Sequence, residues 1–472
     1  MKKIYVPVIL LISFFTAASV TMSCKKNFFT ATSTTNLSQT TVFTDSANAE
    51  GFLANIYENA GFAVSPTRFT YKTLSGTYIP CGGLEAACDE AEISHTFSTT
   101  ALAFALGSIN AGNVTDDAFK TCYAQIRAAN QIYANLSSVP IKSANKVQMK
   151  AEAQFLRAWF YFILLEHYGG VPIVGNNVYD YTQTISEKRR SFADVVSYIT
   201  SQCDSAAMTL PTTQTGPNYG RASQGACLAL KARVLLYAAS PLFNNPTPGG
   251  FGPDGNKTPQ DIATAQTIIV GGKTVNIPID TVKSYAGYLT YSANRWQLAK
   301  DAASAVIGLF AYKLNTDVTS IPGYGAENAL QYMFSLRPNP EYIFTEMEPN
   351  ANTLLEGLFQ PPSRTGANGA FPYQGLVDAF PMSNGKAITD PTSGYDPNNP
   401  YANRDPRFES SIIHNGTLIG NRTPNGQING YSPVVTALFF TNGAYNGGTD
   451  AVYQGTPTGY YNNKMLDPAA IS

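Results

Sequence analysis

Three carboxylates stand together in the stretch CDEAEIS: Asp89, Glu90 and Glu92. Paired carboxylates cleave glycosidic bonds when they sit roughly 5–10 Å apart across the scissile bond. Acids this near in sequence do not face one another across a cleft. The stretch therefore reads as loop hydrogen bonding or ligand contact rather than catalysis. There are three histidines, His95, His167 and His414, and no Gly-x-Ser-x-Gly turn to present a serine nucleophile. Each histidine reads as structural or surface. The segment GPDGNKTPQD (252–261) lacks the alternating acids and closing Glu of a calcium loop. The six cysteines form no Cys-x-x-Cys and no Cys/His cluster. No metal and no cofactor is expected.

What remains is recognition. A sugar stacks its C–H face on an aromatic ring and offers its hydroxyls to planar polar groups such as Asn, Gln, Asp and Arg. The chain is 12% aromatic with 28 tyrosines, but only 13% charged and with two tryptophans. Trp159 and Trp296 both fall inside helical patterns, so stacking is left to loop tyrosines.

The elements that must position such loops are helical. In KAEAQFLRAWFYFILLEHYGGVPIV (150–174), Phe155, Ala158, Phe162 and Leu165 form one apolar face. Leu156, Trp159, Phe160 and Ile163 form a second, so this helix is packed between other elements. Gly169-Gly170 and Pro172 stop it. Its apolar run is too short to span a bilayer. Arg157, the charged residue within that run, needs a buried partner and reads as one half of a structural ion pair. Further helices are predicted near Asp45-Ser46, over 115–137, 145–168, 191–208 and 221–239 with Ser223 as N-cap, and over 293–309. Arriving as pairs with alanine at the crossings, they read as a tetratricopeptide-like stack. From 340 onward helical periodicity gives way to turn chemistry.

The block 150–174 closely resembles the signature helix of the SusD/RagB family of lipid-anchored nutrient-binding proteins. VFTDSANAEGFLANIYENA resembles that family's first helix, and CDEAEIS its Asp-Glu loop. FQPPSRTGANGAFPYQGLVDAF, NRDPRFESSII and GYYNNKMLDP resemble later blocks in the expected order. The resemblance implies a mainly α fold of tetratricopeptide-like repeats (46–325) with a loop-rich, strand-poor C-terminal region (326–472). It implies non-catalytic capture of oligosaccharide and delivery to a SusC-like, TonB-dependent outer-membrane transporter. Peptide capture in the manner of RagB, or a structural lid without ligand affinity, remains an alternative; a hydrolase is the reading from another class. Family members continue into a final helical pair that is not found before Ser472, so an exposed apolar face is expected. In the family, ligand contacts come from the loops after the first helix and from insertions between later repeats. By position this nominates Tyr71, Tyr78, Asp89, Tyr288, Tyr291, Tyr324 and Tyr332, with core packing the competing reading for each. Asn403, Arg404, Asp405 and Arg407 look like a network that locks a loop.

The N-terminus carries Lys2 and Lys3, an apolar stretch from Tyr5 to Val20, and Thr21-Met22-Ser23-Cys24. Residues 1–23 read as a lipoprotein signal, Cys24 as the lipidated residue and 24–45 as an extended tether. Lys25-Lys26-Asn27 lacks the acid often found there, which leaves periplasmic retention open. Removing 1–23 takes away two lysines and no acid, leaving 29 basic against 32 acidic residues. A near-neutral chain has no field to attract nucleic acid. In an exported protein Cys81 and Cys88 could close a small ring, while Cys122, Cys203 and Cys227 fall in apolar helical patterns.

Overall fold

The computed structural model describes residues 39–65, 68–93, 103–110, 118–244, 263–314, 339–346, 357–422, 428–464 and 466, apart from single positions and pairs within these ranges. Eleven helices are named here: α1 (Gln39–Phe43), α2 (Ser46–Glu58), α3 (Ala118–Asn135), α4 (Ser143–Tyr168), α5 (Phe192–Ala207), α6 (Gln224–Ala239), α7 (Pro241–Asn244), α8 (Ile279–Ala286), α9 (Asn294–Ile307), α10 (Gln374–Ala379) and α11 (Pro406–Ser411). The protein is mainly α, as its pattern predicts. α1 corrects the tether: residues 39–43 are helical, and Phe43 is buried against Phe52.

α4 is the axis of the stack. At 1.5 Å per residue its 26 residues run about 39 Å. Phe155, Leu156, Phe160, Tyr161 and Leu164 on it are wholly buried, so it is enclosed on more than one side. Each such side chain contributes roughly 1.5–3 kcal/mol. α3 and α5 pack against it, α6 packs on α5, and α9 on α6. Local chemistry sets the boundaries. Asp45 caps α2, Ser191 and Asp194 form a capping box on α5, and Ser223 caps α6. α4 ends where Gly169 turns to φ 67°, and a Cβ there would collide with the carbonyl of Tyr285.

Arg157 is only 3% exposed, yet it makes no ion pair among the described residues. Its Nη1 donates to Asn130 Oδ1 (2.8 Å), Asn176 Oδ1 (2.6 Å) and Gly175 O (3.2 Å), and its Nη2 to Gln202 Oε1. The expected carboxylate is replaced by neutral amide and carbonyl oxygens, whose summed dipoles solvate the cation.

The strands are short and pair two by two. β1 (Thr70–Lys72) pairs with β2 (Tyr78–Pro80), and β3 (Ala91–Ile93) crosses to β6 (Ala370–Pro372). β4 (Gln266–Val270) and β5 (Lys273–Ile277) form a hairpin through Gly271-Gly272, both at positive φ. β7 (Ile412–Ile413) pairs with β12 (Tyr461–Asn462), β8 (Leu418–Arg422) with β9 (Ile428–Pro433), and β10 (Phe439–Thr441) with β11 (Ala444–Asn446). Phe69, Ile93, Phe371, Ile413, Val434 and Tyr461 share a second core. Arg404 donates to the carbonyls of Val377, Phe380 and Pro400, and Arg407 pairs with Asp405, which caps α11. Trp296, Leu298 and Ile307 stay exposed on α9. No helix among the described residues is long and apolar enough to cross a membrane.

Candidate functional site

The loop between α5 and α6 is fastened by a buried carboxylate. Glu152 is fully buried and accepts from Tyr57 Oη (2.8 Å), Gln148 Nε2 (2.9 Å), Arg221 Nε (2.9 Å) and Arg221 Nη2 (2.8 Å). Four donors, two of them from one guanidinium, offset the cost of burying that charge. Tyr57 in turn accepts from the backbone N–H of Ala222 (2.9 Å). Burial, with the Glu152 carboxylate second, pushes the Tyr57 hydroxyl well above its ordinary range. Burial alone would lower the Arg221 guanidinium; the Glu152 carboxylate outweighs it and raises it.

Above this node opens a cavity of about 540 Å³, lined among others by Gln214, Tyr219, Arg221, Tyr312, Asn339 and Tyr342. Tyr312 lies directly on α6 because residue 225 is glycine; a Cβ there would occupy the space of its ring. Its hydroxyl meets Ser223 Oγ (3.2 Å) and donates to Thr212 O (3.3 Å). Tyr219 Oη accepts from the Asn339 backbone N–H (3.0 Å), and Lys313 N–H donates to Pro340 O (3.2 Å). Gln214 Nε2 donates to Ala222 O (2.7 Å), leaving Oε1 without a partner among the described residues. Tyr342 Oη likewise has none there; burial raises its pKa, then the neighbouring Tyr219 and Glu341. Arg221 is committed to Glu152, and no acid lines the cavity among the described residues. The arrangement offers three rings, amides and hydroxyls with no uncompensated charge. That chemistry suits a neutral, polyhydroxylated ligand.

Of the residues nominated from sequence, the described ones stand as follows. Tyr71 and Tyr78 stand in the β1–β2 ladder, opposite Ile79 and Lys72. Asp89 is exposed just before β3. Tyr288 packs edge-on to Phe192 at 5.5 Å and lies under the Arg295 guanidinium at 3.5 Å. Tyr291 beyond it is 51% exposed. Tyr324 and Tyr332, like Cys24, fall outside the described residues. Of the nominated residues, Asp89, Tyr288 and Tyr291 do not line the cavity. Glu92 of the acidic loop accepts from Tyr373 Oη (2.8 Å), and burial, then Glu92, pushes that tyrosine to about 12. His414 binds Glu409 (3.0 Å) and stacks on Tyr401 at 3.9 Å, and His167 bonds to Ile163 O (2.8 Å). Cys88 is a free thiol whose S–H meets Glu85 O (3.1 Å), and Cys81 falls outside the described residues. No group of three or more metal-ligating side chains occurs among the described residues.

The missed residues did leave a signal. Tyr219 stands four residues before the cap of α6, and Tyr312 five residues after the end of α9. α6 and α9 pack together, so these two flanks meet at one end of the stack.

Comparison with known proteins follows the fold. A family model described as "Starch-binding associating with outer membrane" (SusD-like) matches residues 89–236. A second, described as "SusD family", matches residues 320–472. No curated protein matches the chain. Among solved structures, a SusD-like protein from Bacteroides fragilis is similar at TM-score 0.60 and 19% identity, over 90% of this chain and 69% of that one. A SusD-like carbohydrate binding protein from the same organism is similar at TM-score 0.58 and 18% identity, over 91% and 69%. A SusD superfamily protein from Bacteroides vulgatus is similar at TM-score 0.53 and 15% identity, over 90% and 69%. With the two models together matching well over half of the residues, and with the helical stack they share, the chain belongs to the SusD/RagB family.

Proposed function

We propose that the chain captures a neutral oligosaccharide without cleaving it and passes it to a SusC-like, TonB-dependent outer-membrane transporter. The observation that carries this reading is the cavity of about 540 Å³ walled by Tyr219, Tyr312 and Tyr342, with Gln214 and Asn339 beside them. Its size falls within the range of small-ligand sites, about 300–1,000 Å³. Hydrolysis of a glycoside needs two carboxyl groups flanking the bond, and the described lining supplies none. The family description, starch-binding and associated with the outer membrane, supports both ligand class and location. Acylation of Cys24 would tether the molecule there, facing outward, consistent with the export pattern of residues 1–24.

Isothermal titration of protein from residue 25 onward tests this. A panel of neutral oligosaccharides built from glucose, mannose, galactose and xylose should include at least one that binds, with affinity lost in Tyr342→Ala. Binding of oligopeptides in their place would favour peptide capture. Binding of nothing, with a barrel co-purifying from membranes, would favour a structural lid. Release of reducing sugar would mean a hydrolase.

A further inference from the structure

We propose a second saccharide site at the opposite end of α4, between α3 and the loop that follows α4; it assumes the ligand class of the preceding reading, but not the same cavity. A cleft of about 570 Å³ opens there, lined among others by Phe119, Tyr123, Arg127, Tyr179, Asp180 and Ile185. Glu152 marks the first cavity and Tyr168 this end; sixteen positions apart, they are separated by about 24 Å of helix. The two sites therefore take separate sugar units.

The walls are aromatic. The Phe119 ring is 41% exposed while resting on Tyr123 at 4.7 Å and edge-on to Tyr168 at 5.5 Å. A rigidly backed, half-open ring is a platform for the C–H face of a pyranose. The polar groups carry opposite charges that do not neutralise each other by direct contact. Arg127 Nε donates to Tyr179 O (3.0 Å), and its Nη groups have no partner among the described residues. Asp180 Oδ1 accepts from Thr182 N (2.8 Å), Thr182 Oγ1 (2.5 Å) and Gln183 N (3.1 Å), which leaves Oδ2 open. A guanidinium offers two parallel donors to the oxygens of a vicinal diol, and a carboxylate oxygen accepts from a hydroxyl. One cation and one anion together select a neutral ligand rich in hydroxyls over an acidic or basic one.

The loop is held ready. Tyr123 Oη donates to Pro172 O (2.6 Å), and Tyr161 Oη accepts from Val174 N (3.0 Å). Asn130 Nδ2 donates to Gly175 O (3.0 Å) and Asn177 O (2.8 Å), while Arg157 holds Asn176 from beneath. This gives the buried Arg157 a purpose. It positions the loop and touches no ligand. Preorganisation of this kind lowers the ordering cost of binding.

The same oligosaccharide panel tests the inference by titration stoichiometry. Wild type should bind two equivalents of a panel member, and Arg127→Ala or Asp180→Asn should bind one. Both residues are exposed, so circular dichroism and Tm should not change. Tyr342→Ala should remove the other equivalent. A single equivalent lost in Tyr342→Ala and retained in Arg127→Ala overturns the second site and keeps the first. A single equivalent lost only in Arg127→Ala does the reverse. No binding to any panel member overturns both.

Discussion

Asn130 and Arg157 are joined through Oδ1 and Nη1 at 2.8 Å, and both direct further donors to the backbone or side chains of residues 175–177. The pair fixes the helix α3 to α4 and the loop to both. No acid takes part among the described residues, so the network depends on every amide keeping its orientation.

Replacing Arg157 by Met would strip donors from Asn130 Oδ1, Asn176 Oδ1, Gly175 O and Gln202 Oε1 at once. Each buried group left unsatisfied costs about 1–3 kcal/mol, and the expected total is about 3–5 kcal/mol in urea unfolding. Asn130→Leu should cost a similar amount. The double variant should cost less than the sum, because both residues serve one network. Strict additivity would show that the two act independently.

Gly225→Ala places a methyl group where the Tyr312 ring lies. The ring must swing away from α6, and with it one wall of the first cavity. Ligand affinity should fall roughly tenfold, about 1.4 kcal/mol, while far-UV circular dichroism is kept, since alanine is a better helix former than glycine. An unchanged affinity would detach Tyr312 from ligand binding.

Tyrosine ionisation gives a pH dependence with a definite sign. Burial raises the hydroxyls of Tyr57, Tyr133 and Tyr161, with Tyr133 pushed to about 12. Below about pH 10 both folded and unfolded chains hold these protons and stability is unaffected. Above it the unfolded chain releases protons that the folded chain keeps, so unfolding draws the equilibrium forward. Stability should therefore fall from about pH 10, through about 12 for Tyr133 and higher for Tyr57 and Tyr161. Tyrosinate absorbance should rise in two phases, exposed rings first and buried rings only with unfolding. A single smooth titration near the ordinary value would contradict the burial of these rings.

Much of the scaffold could be read from the chain because it rests on local rules. The two apolar faces of 155–165, the Gly169-Gly170 stop and the Ser223 cap each depend on neighbours within a few residues, and each stands where expected. The cavity does not obey that limit. Tyr219, Tyr312 and Tyr342 are separated by as much as 123 positions and meet only because α6 and α9 pack together. Tyr288 looked equally plausible as a loop ring, yet Phe192 and Arg295 enclose it from other helices. The partners of Arg157 escape the sequence pattern for a similar reason. Carboxylates can be counted in a sequence, whereas amide and carbonyl oxygens converging from residues 130, 175, 176 and 202 cannot.

Thiol reactivity separates the cysteines by environment. Cys88 is exposed and free, whereas Cys122, Cys203 and Cys227 are buried among helices. Burial holds the Cys203 thiol well above its usual range and brings Cys227 to about 12. The thiolate is the reacting form, so these two are protected by both access and protonation. A disulfide-exchange reagent at neutral pH should label Cys88 at once and the three helical thiols only in urea. In Cys88→Ser that immediate phase should fall by one thiol. If instead Cys88 resists labelling until reductant is added, and peptide mapping without reductant recovers it joined to Cys81, the small ring exists and the free thiol does not.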